Sequence, residues 1–272
     1  MTMEDAPMSV NAKNYLELEI NEQRDLLEDL LKDSERIDQI GVNGLNLGKV
    51  DNIKIIACGS SFHAGLLGAK FIEYACNVPV NVITGSEFVF SKPRNLTKTL
   101  FILISQSGKT GDVLDSLEVL KKSKTQVISF CNDQESPLAK EVELSKFLNC
   151  GVERSVAATK TFSITCINLF IFALALGKNR GSFKTRDHTE LLNHVEKFKN
   201  CLRFGHGFET EILKIVENLR KHNSILCLGC AYDFPIALEG ALKIREVTQS
   251  HCEGMQMGEL KHGPIAMLDQ KW

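Results

Sequence analysis

Between residues 53 and 149, short unbroken apolar runs alternate with stretches of helical periodicity, and no other feature of the chain restricts its fold as much. Residues 53–58, 78–83, 99–104 and 126–131 read as strands, with a shorter one at 146–149. Residues 62–76, 112–122 and 136–143 read as helices, followed by a long apolar one at 158–176. A strand that is apolar at nearly every position, rather than every second one, must be covered on both faces. Strands of this kind separated by helices are joined by crossovers, so the expected class is α/β with a doubly wound parallel sheet. Ligands of such sheets sit beyond the carboxyl ends of the strands, where Ser60 and Ser61 and the segment Ser105 to Ser107 fall.

The remaining segments extend this pattern. Residues 13–32 carry Leu16, Ile20, Leu26, Leu27, Leu30 and Leu31 at helical spacing, an amphipathic lead-in helix. Residues 178–206 shift to Lys, Arg, Asn, His and Gly and read as a linker with a polar helix, and 208–220 are amphipathic. The strand at 224–229, ending in Gly229, then echoes Lys54-Ile55-Ile56-Ala57-Cys58-Gly59, and Gly258-Glu259-Leu260 echoes Gly85-Ser86-Glu87. The echo implies two copies of one α/β unit. The expected division is a lead-in at 1–45, a complete domain at 46–180, a linker at 181–208 and a partial second domain at 209–272. The second copy has two strands at most and would leave apolar faces uncovered, so a truncated piece of a longer protein is expected.

Composition excludes some partners. With 272 residues, 43% of them hydrophobic, the chain can bury a sizeable core, and a net charge of -2 offers no footprint for nucleic acid or an anionic membrane. The nine cysteines sit mostly in apolar runs and read as reduced core residues. Cys227 and Cys230 form a C-x-x-C without a second pair, which argues against a metal or redox centre. Residues 1–11 are polar with no signal-peptide core, and the apolar stretch at 164–176 falls short of the ~20 residues that span a bilayer, so a cytoplasmic protein without a membrane segment is expected.

Two constellations carry chemistry. In Ser105-Gln106-Ser107-Gly108-Lys109-Thr110, three hydroxyls and a glycine connect a strand to a helix, whose first N–H groups are unpaired and partly positive. This is the composition of a phosphate cradle, and equally of an ordinary strand-to-helix turn. In the helix expected at 235–250, Glu239, Lys243, Glu246 and Ser250 share one face, while Ile236, Gly240, Ile244 and Val247 form a face suited to the core. The charged face is either a solvated salt-bridge ladder or, with His262 in Gly258-Glu259-Leu260-Lys261-His262-Gly263-Pro264, a set of groups for moving protons on a sugar phosphate.

Together with Ala57-Cys58-Gly59-Ser60-Ser61, Val156-Ala157-Ala158-Thr159-Lys160 and Ala237-Leu238-Glu239-Gly240-Ala241-Leu242-Lys243, these motifs resemble the isomerase half of the glutamine:fructose-6-phosphate aminotransferase (isomerizing), or glucosamine-6-phosphate synthase, family. That half consists of two sugar isomerase (SIS) domains, and the resemblance runs from about Tyr15 onward. It implies an enzyme of hexosamine biosynthesis, the route to UDP-N-acetylglucosamine, that converts fructose 6-phosphate to glucosamine 6-phosphate without metal or cofactor. It further implies that Ser60, Ser105, Gln106, Ser107 and Thr110 hold the phosphate and sugar hydroxyls and that Val156 lines the pocket through its backbone. Glu246 would shuttle the proton between C1 and C2, Lys243 would bias protonation beside it, and His262 would assist ring opening from a neighbouring subunit of a homodimer. The chain departs from the family at Lys109, where an acid is usual, and at Ala158, where a serine is usual. Nothing in it resembles the glutaminase domain or the tail that closes over the sugar, so a separate glutaminase or free ammonia would supply the nitrogen. A stand-alone SIS isomerase or deaminase and a non-catalytic phosphosugar sensor are the alternatives.

Overall fold

The computed structural model describes residues 10–32, 40, 42–93, 96–123, 125–182, 193, 197 and 206–267. Helix α1 (Val10–Lys32) leads into strand β1 (Asn52–Ala57), then α2 (Gly59–Cys76), β2 (Val80–Thr84), α3 (Gly85–Phe90) and β3 (Thr99–Ile104). There follow α4 (Gly111–Lys121), β4 (Gln126–Cys131), α5 (Pro137–Glu141), β5 (Leu144–Phe147) and α6 (Lys160–Asn179). Most of the linker expected at 181–208 lies outside the described residues. The chain is described again from α7 (His206–Leu219) through β6 (Ser224–Gly229), α8 (Asp233–Thr248) and β7 (His251–Gln256), ending in short 3-10 turns at Met257–His262 and Pro264–Met267.

The first five strands form one parallel sheet in the order β2-β1-β3-β4-β5. The chain enters at β1, steps to β2, then crosses back past β1 to β3, so the crevice between the carboxyl ends of β1 and β3 is the point where the winding reverses. The continuous apolar runs have the expected cause. In β3, Leu100, Ile102 and Ile104 face a core built with Leu30 of α1, Ile72 of α2 and Leu169 and Phe172 of α6. Their neighbours Phe101 and Leu103 face the other side, against Phe88 of α3, Val113 and Leu117 of α4 and Leu138 of α5. Period-two alternation is present but hidden, because both faces are dry.

Several details differ from the sequence reading. Helix α2 starts at Gly59 rather than at residue 62, which moves Ser60 and Ser61 from a loop into its first turn. Strand β5 pairs with β4 two residues earlier than expected. Helix α8 ends at Thr248 with Gln249 in the left-handed region, so Ser250 is not on its face. Helix α6 has 20 residues and is long and apolar enough to cross a membrane, but 72% of its most apolar window is buried in the protein core.

The second unit repeats the first in miniature. Strands β6 and β7 are parallel neighbours joined through α8, as β1 and β2 are through α2, and α8 packs on α2. Tyr232, just before α8, stacks on Phe71 of α2 with ring centroids 5.8 Å apart. The orientation of α8 reverses the expectation for its faces: Glu239 is buried, whereas Ile236 and Val247 are exposed.

Candidate functional site

Three helices begin around the switch-point crevice. Helix α2 starts behind Cys58, α4 behind Thr110 and α6 behind Thr159, and none of these three residues caps its helix with a side chain. The first turns of α2 and α4 therefore present helix ends without a side-chain cap, partly positive, whereas the first turn of α6 is held by the Glu153 carboxylate, which accepts from the N–H groups of Thr159 and Thr161. Gly108 shapes the turn before α4: its φ is +62°, and a Cβ there would stand 2.1 Å from Ser136 Oγ. Within that turn Ser105 Oγ lies 2.8 Å from Thr110 Oγ1, and Gly108 N–H donates to Ser105 Oγ at 3.1 Å.

A cavity of about 260 Å³ opens at this point, lined by residues from both units: Ser60, Ser61, Gln106, Glu153, Ser155, Val156, Lys243 and Glu246 among them. It is smaller than the roughly 300–1,000 Å³ of pockets for drug-sized ligands, which suits a small polar molecule. Lys243 Nζ is its electrostatic centre, 3.1 Å from Ser60 Oγ, 3.2 Å from Glu239 Oε1 and 2.6 Å from Glu246 Oε2. Behind this row, Glu239 Oε2 lies 2.7 Å from His63 Nδ1 of α2. Burial raises the Glu239 carboxyl, but hydrogen bonds from His63 and Ser60 and the charges of Lys243 and His63 outweigh it and hold the group below the ordinary carboxylate value. Cys58 also lines the cavity, with its thiol pushed up by burial, which disfavours a thiolate nucleophile.

Of the residues singled out in the sequence, Ser60, Gln106, Val156, Lys243 and Glu246 line this one cavity. Val156 is 89% exposed, at the rim. Ser105 and Thr110 bond to each other beneath it. Ser107 faces an adjoining groove shared with Lys109 and Asp133, whose charged groups pair at 3.0 Å. His262 stands apart, exposed on the 3-10 turn after β7 and outside the lining of the cavity. Sequence reasoning missed Glu153, Ser155, Thr161, Phe162 and Thr165, which also line the cavity. Their signal was positional: they follow the carboxyl end of β5 and start α6. His63 had no local signal, since its partner lies 176 residues away.

Residues 46–175 and 218–271 match the SIS domain family. The chain belongs to that family. Its five-stranded parallel sheet is the SIS fold, complete in the first unit. Among curated proteins it is similar to the glutamine–fructose-6-phosphate aminotransferases (isomerizing) of Cyanidium caldarium, at 34% identity over 94% of this chain and 43% of that protein, and of Pseudomonas putida, at 33% identity over 94% and 43%. It thus spans about two-fifths of the length of these relatives. Among solved SIS structures, the C-terminal domain of glucosamine-fructose-6-phosphate aminotransferase from Francisella tularensis superposes with a TM-score of 0.85 at 31% identity, covering 94% of this chain and 73% of that one. The glucosamine-6-phosphate deaminase of Thermotoga maritima superposes with a TM-score of 0.71 at 27% identity, covering 94% and 73%.

Proposed function

We propose that this chain binds fructose 6-phosphate in the switch-point cavity and isomerises it, acting as the isomerase part of an aminotransferase that makes glucosamine 6-phosphate. The observation that carries the reading is the row Ser60–Lys243–Glu246, built from two separate SIS units and set on the wall of a cavity surrounded by helix N-termini. The first turns of α2 and α4, with the hydroxyls of Ser60, Ser105, Ser107 and Thr110 and the amide of Gln106, take the phosphate and the sugar hydroxyls. This anchors the ligand at a distance from the reacting carbons, so phosphate binding energy orients C1 and C2. The Glu246 carboxylate removes a proton from C1 of the open-chain ketose. The electrons move into an enediolate; the carboxyl proton, which exchanges with solvent, is delivered to C2 as the O1 hydroxyl proton passes to O2, giving the aldose with no net gain or loss of atoms. Lys243 places positive charge where negative charge develops on the substrate oxygen.

The domain limits 46–180 and 209–272, a cytoplasmic location and a homodimer belong to the same proposal. Exposure of His262 fits a residue that serves a neighbouring subunit's cavity rather than its own. Nitrogen for amination comes from ammonia supplied by a glutaminase partner or domain. The similarity to a glucosamine-6-phosphate deaminase favours a second reading, an enzyme that uses free ammonia directly.

Incubation with fructose 6-phosphate, with and without ammonia, separates these readings. Glucose 6-phosphate formed by the wild type and lost by at least about a hundredfold in Glu246→Gln is the expected result. Glucosamine 6-phosphate formed from added ammonia alone favours the second reading. Binding without turnover in either protein makes the chain a phosphosugar sensor, and equal turnover in both removes Glu246 from the mechanism.

A further inference from the structure

Helix α1 lies outside both residue ranges that match the SIS family, yet it reaches the cavity rim. Tyr15, Glu19, Glu22 and Gln23 fall at spacings of four, three and one, so they share a face of α1. That face grips the segment between β5 and α6. Glu19 is 3% exposed, and its carboxylate accepts hydrogen bonds from the backbone N–H groups of Arg154 and Ser155 and from the Ser155 hydroxyl. The Arg154 guanidinium lies over the Tyr15 ring at 5.1 Å and donates to its hydroxyl at 3.0 Å. Farther along, Glu22 pairs with the buried Lys160, and Ser163 donates to Gln23. Glu153 completes the fold of the segment by accepting from the N–H and hydroxyl groups of Thr159 and Thr161.

Glu153, Ser155 and Val156 of this segment line the cavity. A buried carboxylate that takes two consecutive backbone amides fixes the peptide planes of its donors, and with them the adjoining Val156 peptide. Burial raises the Glu19 carboxyl, but the bonds from Arg154 and Ser155 and the charge of Lys160 hold it below the ordinary value, so the clamp is ionised at neutral pH.

We infer that Glu19 is a positioning residue for sugar recognition: from outside the SIS units, it sets the backbone of residues 153–156 at the cavity rim so that the hexose, rather than its phosphate, is held. The inference rests on the phosphosugar reading of the cavity. The wild-type chain, Glu19→Gln and Glu19→Asp are compared in three measurements: calorimetric binding of fructose 6-phosphate, binding of inorganic phosphate, and the rate of tryptic cleavage after Arg154 followed by mass spectrometry. Glu19→Gln is expected to weaken fructose 6-phosphate at least about tenfold, to leave inorganic phosphate within about twofold, and to be cut after Arg154 at least about tenfold faster. Glu19→Asp, which keeps the charge but retracts it by one methylene, is expected to fall between, and it decides the matter should Glu19→Gln fail to fold. Unchanged cleavage removes the clamp. Faster cleavage with unchanged fructose 6-phosphate affinity, or a parallel loss for both ligands, removes the role in sugar recognition. A wild type that binds inorganic phosphate but not fructose 6-phosphate overturns the phosphosugar reading and the sugar role with it, while the cleavage rate still reports on the clamp.

Discussion

Strands β1 and β6 have similar composition, Asn-Ile-Lys-Ile-Ile-Ala against Ser-Ile-Leu-Cys-Leu-Gly, and each feeds a helix and a parallel neighbour. Their burial differs. Ile53, Ile55, Ile56 and Ala57 are buried under helices on both faces, whereas Ile225 to Leu228 of β6 are only partly buried. Cover, not the strand's own sequence, makes the difference: β1 has β3 and β4 beyond it and helices above and below, while among the described residues β6 packs chiefly on β7 and α8. The two units therefore divide the labour. The first supplies the core and the helix ends around the cavity; the second contributes little core but supplies Lys243 and Glu246 through α8, held against α2 by the buried Glu239–His63 contact.

The largest expected effect separates chemistry from stability. Glu246→Gln should cost about 10²- to 10⁴-fold in isomerase turnover, read by a coupled glucose 6-phosphate assay, with a melting temperature close to wild type. Core truncation sharpens the contrast from the other side. Phe130→Ala, which removes a fully buried ring packed edge-on against Phe172, should cost about 3–5 kcal/mol in denaturant titration, and Leu226→Ala in β6 less than about 2. Equal costs would break the comparison. Ser107→Ala combined with Thr110→Ala removes two hydroxyls of the first unit and should weaken fructose 6-phosphate by about tenfold or more in calorimetry, with little change in stability. The smallest effect concerns the joint between the units. The folded Glu239 carboxyl is held below its ordinary value of 4.5, so its contribution is present above about that pH and disappears as pH falls through the lower folded value. Melting curves between pH 7 and pH 3 should therefore drop less steeply for Glu239→Gln than for wild type.

Much of this was legible in the sequence wherever a local signal existed. The limits of β3, β4 and β6 follow from their apolar runs, because a fully covered strand must be apolar nearly throughout. Strand β7 was not legible: His-Cys-Glu-Gly-Met-Gln has no such run and is a strand because β6 pairs with it. Helical spacing grouped Glu239, Lys243 and Glu246 on one face of α8, but spacing cannot say which face packs inward. The charged face turned in because Ser60 and His63 on α2 supply its partners. The contacts of Glu19 had no signature at all, since its partners lie 135 and 136 residues along the chain.

Proton exchange in deuterium oxide tests the central claim with the fewest assumptions, because it needs neither ammonia nor a glutaminase. If Glu246 relocates hydrogen between C1 and C2 of a sugar held in this cavity, proton NMR will show solvent deuterium entering C1 of fructose 6-phosphate with the wild type and not with Glu246→Gln. Exchange at the same rate in both proteins, or in neither while the sugar is bound, would contradict it.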